Sequence, residues 1–320
     1  MSTLLQSIDK FIENITVTDK QEENVETSFN NLKNHLQKDE SNLSVKEVFL
    51  NGSYKRDTII RPLDDIDLFA VIDQADYAEN GLDPKPQSVL TKFKNYLNGL
   101  NDYKDKVKQD RPCITVVLSD KNFDILPSLR KADVLYIPNS DLSGWIFTDP
   151  KTHTDSLNSV NRSRNYKVKS IVKAVKQWKR ENSKNIPSFH IEEIAISVFN
   201  LWSFTNLEEG IRLWFEYAEG QLNSGRFNSF DDYSKSKENI QKVKEKLQEA
   251  KKLLDDKKEG EAKKIWKEVF GKDFPTIDDK EAKAFAESLP NGTLKYGATG
   301  LSTSVGSTIT ASKGFYGDIQ

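Results

Sequence analysis

Among its 320 residues the chain has a single cysteine, Cys113, and a single methionine, Met1. One thiol cannot close an intrachain disulfide, so the fold must rest on packing, and the chain suits a reducing compartment; the expectation is a cytoplasmic protein. Cys113 lies in an apolar run and reads as a buried core cysteine. The three histidines, His35, His153 and His190, are scattered, and with one cysteine they form no cluster at metal-ligand spacing. His190 reads as a structural residue. No run of 18 apolar residues exists, which excludes a helical membrane span. The opening Met1-Ser2-Thr3-Leu4-Leu5 has neither a basic n-region nor a long apolar segment, so no signal peptide is expected. Neither sign of charge dominates: 47 Lys and Arg stand against 49 Asp and Glu, for a net charge of −2. A general polyanion binder needs a basic face, so stable DNA or RNA binding is not expected.

Against these absences stand 17 Phe and 5 Trp, enough for a sizeable core in a chain that is 36% hydrophobic and 30% charged. The length suits one large two-lobed domain or two ordinary ones.

The densest chemistry lies between residues 45 and 127. Lys46-Glu47-Val48-Phe49-Leu50 reads as a short strand that ends at Asn51-Gly52. Gly52-Ser53 then makes a turn whose backbone N–H groups and hydroxyl suit phosphate oxygens. After a break at Pro62-Leu63-Asp64, residues Asp65 to Ile72 form a strand. Residues two apart on a strand share a face, so Asp65 and Asp67 stand side by side while Ile66 and Leu68 face a core. Asp64 is on the opposite phase and is not assigned. Two adjacent carboxylates repel unless a cation lies between them. A third carboxylate, Asp124, sits in Phe123-Asp124-Ile125-Leu126-Pro127, which pairs back on the strong β run Pro112 to Ser119 through the turn Asp120-Lys121-Asn122. Its apolar neighbours mean that it needs a metal or a set of hydrogen bonds. Three carboxylates behind a Gly-Ser turn suit two magnesium ions about 3.5–4 Å apart, or manganese in their place, acting on an in-line displacement at phosphorus. On this reading Asp65 and Asp67 bridge the ions, and Asp124 binds the one that activates the attacking hydroxyl.

Elsewhere, Thr18 and Gln21 form a capping box that opens a helix with Val25, Phe29, Leu32 and Leu36 on one face. A helix spans Pro86 to Leu97, and a strand covers Asp133 to Pro138. Thr148-Asp149-Pro150 marks a passage into an almost entirely helical region, dividing a catalytic lobe over 1–150, with its N-terminal spine helices, from a helical lobe over 151–320. Val168, Ile171, Val172, Val175 and Trp178 form an apolar stripe, with Lys169, Lys173 and Lys176 on other faces. Lys169 reads as solvated surface. Glu192 and Glu193 read as helix-start charges. Residues 233–270 read as a Lys/Glu-rich helix pair broken near Asp255 to Gly260, forming an outer layer or a docking surface for a regulator. The tail from Gly292 to Gln320 is of low complexity and reads as flexible or draped.

The runs NGSYKRDTIIRPLDDIDLFAVI, NFDILPSL and GWIFTDPKTH, with VKSIVKAVKQWKREN, IPSFHIEEIA and AKKIWKEVFGKDFP further on, resemble the bacterial cyclic-oligonucleotide synthases called CD-NTases, which are related to animal cyclic GMP-AMP synthase. The resemblance covers most of the chain. It implies an α/β (α+β) fold: a polymerase-β-like nucleotidyltransferase core with a mixed sheet and a long spine helix, a helical second lobe, and an active site in the cleft between lobes. It implies an enzyme that condenses NTPs into a cyclic di- or trinucleotide for anti-phage signalling. The product would act on a separate effector protein, and the partners the resemblance implies are regulatory proteins or a machinery that conjugates the C-terminal residue. By the same resemblance Gly52 and Ser53 hold phosphate, and Asp65, Asp67 and Asp124 are the metal triad. Lys176, with Lys173 one turn earlier, reaches the donor triphosphate. Ser188 touches phosphate and Phe189 stacks on the donor base, without the phenol hydroxyl of the usual tyrosine. The animal enzyme's zinc-binding insertion has no counterpart here. Two other readings stay open from the residues alone: a template-independent RNA or protein nucleotidyltransferase, and an inactive fold that serves as a binding partner.

Overall fold

In the computed structural model, residues 3–78, 82–110, 112–182 and 184–275 are described, together with the backbone of three short strands near the C-terminus. The helices are α1 (Leu4–Ile15), α2 (Asp19–Leu36), α3 (Gly52–Lys55), α4 (Pro86–Gly99), α5 (Pro150–Ser163), α6 (Val168–Glu181), α7 (Ser188–Leu201), α8 (Leu207–Gln221), α9 (Phe230–Asp255) and α10 (Glu259–Phe270). The strands are β1 (Val45–Leu50), β2 (Asp65–Ile72), β3 (Val107–Asp110), β4 (Cys113–Val117), β5 (Asn122–Lys131), β6 (Val134–Pro138) and β7 (Trp145–Thr148), then β8 (Lys295–Gly297), β9 (Gly300–Ser302) and β10 (Ser307–Thr308).

The chain forms two compact units, Thr16–Lys173 and Met1–Ile15 with Ala174–Gln320. The division thus falls inside α6 rather than at Thr148–Pro150. α1 groups with the helical unit, although the first residues were expected in the catalytic lobe.

The unit from Thr16 to Lys173 is built on a seven-stranded mixed sheet. Its main order is β1-β2-β5-β4-β3, and β6 and β7 extend from β5. β2 and β5 run parallel and the other pairs antiparallel. α2 opens with the expected box: Gln21 N–H donates to Thr18 Oγ1 at 3.3 Å, and the Thr18 backbone N–H donates to Gln21 Oε1 at 3.1 Å. Val25, Leu32 and Leu36 of α2 and Val89, Leu90, Phe93 and Leu97 of α4 share an apolar core with the even-numbered residues of β2, Ile66, Leu68, Ala70 and Ile72. Phe123 and Ile125 of β5 and Ile114 and Val116 of β4 complete it. Period-two alternation therefore turns one face of three central strands into core and releases the other for chemistry.

The helical unit packs on aromatic rings. Phe11 of α1 lies 5.3 Å from Phe270 and 5.5 Å from Phe274, and Trp178 of α6 meets Phe215 of α8 edge-on at 5.0 Å. α9 and α10 pack on each other as the expected helix pair. β8, β9 and β10 form a small antiparallel sheet within the tail expected to be flexible or draped. The Gly-Asp-Ile-Gln terminus lies outside the described residues.

Candidate active site

The site begins with a row of residues that crosses the sheet. In the parallel ladder Asp65 pairs with Asn122 and Asp67 with Asp124. In the next ladders Asp124 pairs with Thr115, and Thr115 with Lys108. Lys108, Thr115, Asp124 and Asp67 thus form one rung across four strands, on the face opposite the apolar core. Asp65 stands one pleat along from Asp67. Asp124 is not the lone polar residue of its strand face, as its apolar neighbours in sequence suggest: that face also carries Asn122 and Thr115, and Thr115 Oγ1 donates to Asp124 Oδ1 at 2.6 Å.

The rung continues into the Gly-Ser turn. Asn51 N–H donates to Asp67 C=O at 2.9 Å, which ties the end of β1 to β2. Gly52 then takes a left-handed φ of 65°. A Cβ there would lie 1.6 Å from Asp67 Oδ2, so the Asp67 carboxylate occupies the space a side chain would need. The Ser53 carbonyl accepts from Thr58 N–H at 2.8 Å and Ile59 N–H at 3.1 Å, closing the loop behind the turn.

The electrostatics follow from this crowding. The Asp65 carboxyl is pushed above its ordinary range, first by desolvation and then by the Asp124 and Asp64 charges, against an Asn122 hydrogen bond and the Lys108 ammonium. Cys113 is buried as expected, but it sits on the face of Thr115 and Asp124 rather than in the apolar cluster. Burial first, then the Asp124 charge, pushes its thiol up to about 12, so it remains protonated at neutral pH.

Among the described residues no three His, Cys, Asp or Glu side chains converge closely enough to hold a metal ion as they stand. The donor set is nevertheless all oxygen, which suits a hard divalent cation. Its mutual repulsion is what such a cation would relieve. The carboxylates fit a divalent metal in kind, and their side chains must turn to meet one.

In the helical unit the lysines fall differently from expectation. Residues 171–178 of α6 are buried all round, so Lys173 and Lys176 are not on a solvated face. Lys176 Nζ lies 2.7 Å from Glu192 Oε1, and both side chains are buried. Drawing Lys176 to a phosphate would break this buried ion pair, a cost on the order of several kcal/mol. Lys179, which the sequence reading left out, donates from Nζ to Ser188 Oγ at 2.9 Å. Burial, then Arg180, holds its ammonium below the usual lysine range. Lys173 Nζ, in the other unit, lies 2.7 Å from Asp57 Oδ1.

Phe189 follows Ser188 at the start of α7 and is 41% exposed, and the Arg226 guanidinium stands 5.9 Å from its ring centre. Glu192 and Glu193 are not helix-start charges. Glu192 pairs with Lys176, and Glu193 with Arg226 and with His190 Nδ1. His190 Nε2 accepts from Asn223 N–H at 3.0 Å, which accounts for both ring nitrogens structurally.

The chain is similar to known proteins over most of its length. Residues 1–161 match the model of the Second Messenger Oligonucleotide or Dinucleotide Synthetase domain. A probable cyclic nucleotide synthase of Bacillus cereus is 26% identical, covering 87% of this chain and 100% of that one. A cyclic AMP-AMP-AMP synthase of an Acinetobacter species is 27% identical, covering 80% of this chain and 82% of that one. Among solved structures, Escherichia coli CdnC in complex with a HORMA protein superposes with a TM-score of 0.65 at 19% identity over 85% of this chain and 98% of that one. Vibrio cholerae DncV, a cyclic AMP-GMP synthase held with its linear intermediate, gives 0.65 at 13% identity over 86% and 98%. With the family model spanning half the chain, an acid rung in register and a glycine that admits no side chain beside it, the chain belongs to the second-messenger oligonucleotide or dinucleotide synthetases, the CD-NTase family of nucleotidyltransferases.

Proposed function

We propose that the chain condenses NTPs into a cyclic di- or trinucleotide that signals phage infection to a separate effector protein. The observation that carries this reading is the pairing of Asp67 with Asp124 across β2 and β5, with Asp65 beside them and Gly52 packed on Asp67. A ribose hydroxyl oxygen of the acceptor forms a bond to the donor's α-phosphorus, the bond from that phosphorus to the β-bridging oxygen breaks, and pyrophosphate leaves with the electron pair. The hydroxyl proton goes to the Asp124 carboxylate, whose Oδ1 is steadied by Thr115. When bound at Asp65, Asp67 and Asp124, two magnesium ions, or manganese, would supply charge stabilisation for the attacking and leaving oxygens. Gly52 and Ser53 offer backbone N–H groups and a hydroxyl to phosphate oxygens. The same displacement, made intramolecularly by the linear dinucleotide or, after one more addition, by the linear trinucleotide, closes the ring and releases a further pyrophosphate.

On the helical unit we assign Ser188 to phosphate and Phe189 to the base. Its lysine is Lys179 in place of Lys176, because Lys179 already touches Ser188 while Lys176 is committed to Glu192. Lys179→Ala should raise the KM for NTP about tenfold or more with a smaller fall in kcat, whereas Lys176→Ala should lower the melting temperature instead. Steady-state kinetics beside thermal melts separates the two; a KM effect confined to Lys176→Ala would reverse the assignment.

The reading as a whole is tested by incubating the protein with all four NTPs and magnesium or manganese, removing linear products with phosphatase, and identifying survivors by mass spectrometry. A cyclic species absent from Asp65→Asn/Asp67→Asn is expected. Linear or protein-attached nucleotides alone would overturn it.

A further inference from the structure

Lys173 is a buried lysine, its side chain 7% exposed, yet its partner Asp57 is 64% exposed. Asp57 sits in left-handed backbone at φ 54°, immediately after the cap residue of α3. A non-glycine residue pays on the order of 1 kcal/mol or more for that conformation, so the surroundings must hold it. They do so in two ways. Asp57 N–H donates to Tyr54 C=O at 3.0 Å, and the next two residues, Thr58 and Ile59, both donate backbone N–H groups to the Ser53 carbonyl. Thr58 adds its hydroxyl to that carbonyl at 3.4 Å. The loop from Ser53 to Ile59 therefore closes on Ser53 itself, and Asp57 is the point at which α6 grips it.

We propose that Lys173 is a positioning residue: its ammonium anchors Asp57 and thereby fixes the Gly52-Ser53 turn against Asp67, without touching nucleotide. The inference rests on the proposed nucleotidyl transfer for its kinetic consequence but not for its structural one. Because the grip is electrostatic, Asp57→Asn should resemble Lys173→Met even though Asp57 lies on the other side of the contact. A lysine that binds phosphate makes the opposite prediction: removing Asp57 frees the ammonium and leaves nucleotide affinity equal or better.

The test is a double-mutant cycle on the full chain, with Lys173→Met, Asp57→Asn, both together and Lys173→Arg as the conservative variant. The first readout is amide hydrogen exchange at Thr58 and Ile59, relative to amides of β2 in the same sample, and needs no catalysis. Each single variant should speed exchange in this loop about tenfold or more, the double variant no further, and Lys173→Arg should restore much of the protection. The second readout is the kinetics of product formation. kcat should fall roughly ten- to hundredfold, the range for partners that orient catalytic groups, by equal factors in both single variants and with KM for NTP little changed. Loop exchange that stays slow in Asp57→Asn, a KM rise confined to Lys173→Met, or a uniform loss of protection throughout the unit would each overturn the proposal. If product formation is absent in every sample, the wild type included, the nucleotidyl-transfer reading fails while the exchange arm still decides the anchor.

Discussion

Asp124→Asn should abolish product formation, by about three orders of magnitude or more, while leaving the melting temperature at neutral pH unchanged or raised. A thousandfold loss corresponds to about 4 kcal/mol of transition-state stabilisation. It is expected because the amide cannot take the hydroxyl proton and is a poorer partner for a cation. The stability half of the result comes from the rung. Asp65 is held above its ordinary value by desolvation and then by Asp124 and Asp64. A carboxyl raised in the folded state binds more protons there than in the unfolded chain. The stability it contributes is fully present below the unfolded value, near 3.8 for Asp, and is lost as pH rises through the folded value. The wild type takes on that loss as pH rises from acid, and removing the Asp124 charge relieves part of it. The amide oxygen introduced by Asp124→Asn can still accept the Thr115 hydroxyl, so no buried donor is stranded.

Melting curves from acid to neutral pH should therefore be flatter for Asp124→Asn than for the wild type above the ordinary aspartate value. Adding magnesium or manganese should raise the wild-type melting temperature by mass action and move the variant less. A variant that melts several degrees lower at neutral pH, or retains a tenth of the activity, would show that Asp124 is a structural residue.

How far this site was legible from the chain depends on the range of each interaction. β2 was readable to its ends because alternation sets in at Asp65 and the break at Pro62 to Asp64 precedes it. The same parity showed that Asp65 and Asp67 share a face. The partners of Asp124 were not readable, because Thr115 and Lys108 join the rung only through the registers of two ladders, and register is a property of the pairing rather than of either strand. The polar parity of Cys113 and Thr115 was in the sequence but was masked by the apolar run around it. The ion-pair partners of Lys173 and Lys176 on α6 were unreadable for a related reason. Helical spacing identifies the face opposite an apolar stripe but not whether that face meets solvent, and here it does not. Glu192 lies 16 residues from Lys176 and Asp57 lies 116 from Lys173, so neither ion pair leaves a local mark. Lys179 and Ser188 are nine residues apart, and a helix end and the start of the next one bring them together.

Among the described glycines, Gly52→Ala should be the most damaging single added methyl group. Left-handed backbone costs an ordinary residue about 1–2 kcal/mol, and the new Cβ would also lie 1.6 Å from Asp67 Oδ2 and 2.5 Å from Asp67 Cγ. No rotation of the alanine relieves this, since a Cβ has no rotamer. Either the Asp67 carboxylate leaves its place on the rung or the turn moves off the end of β1, and both disconnect Ser53 from the acids. A total cost of about 2–4 kcal/mol is expected, within the range for strain at special backbone positions, or a fall in melting temperature of about 5–15 °C. Activity should fall beyond detection in the same product assay. The compensating variant separates the two effects. In Gly52→Ala/Asp67→Gly every Asp67 atom that clashes is gone, so thermal stability should recover in part while activity stays absent, because a triad acid is missing. Full activity in Gly52→Ala would show that the turn does not pack on Asp67 as found. Equal melting temperatures for the single and double variants would show that the cost lies in the backbone alone. Partial recovery in the double variant locates the requirement for glycine in the carboxylate beside it, so that one residue without a side chain and one catalytic acid are specified together.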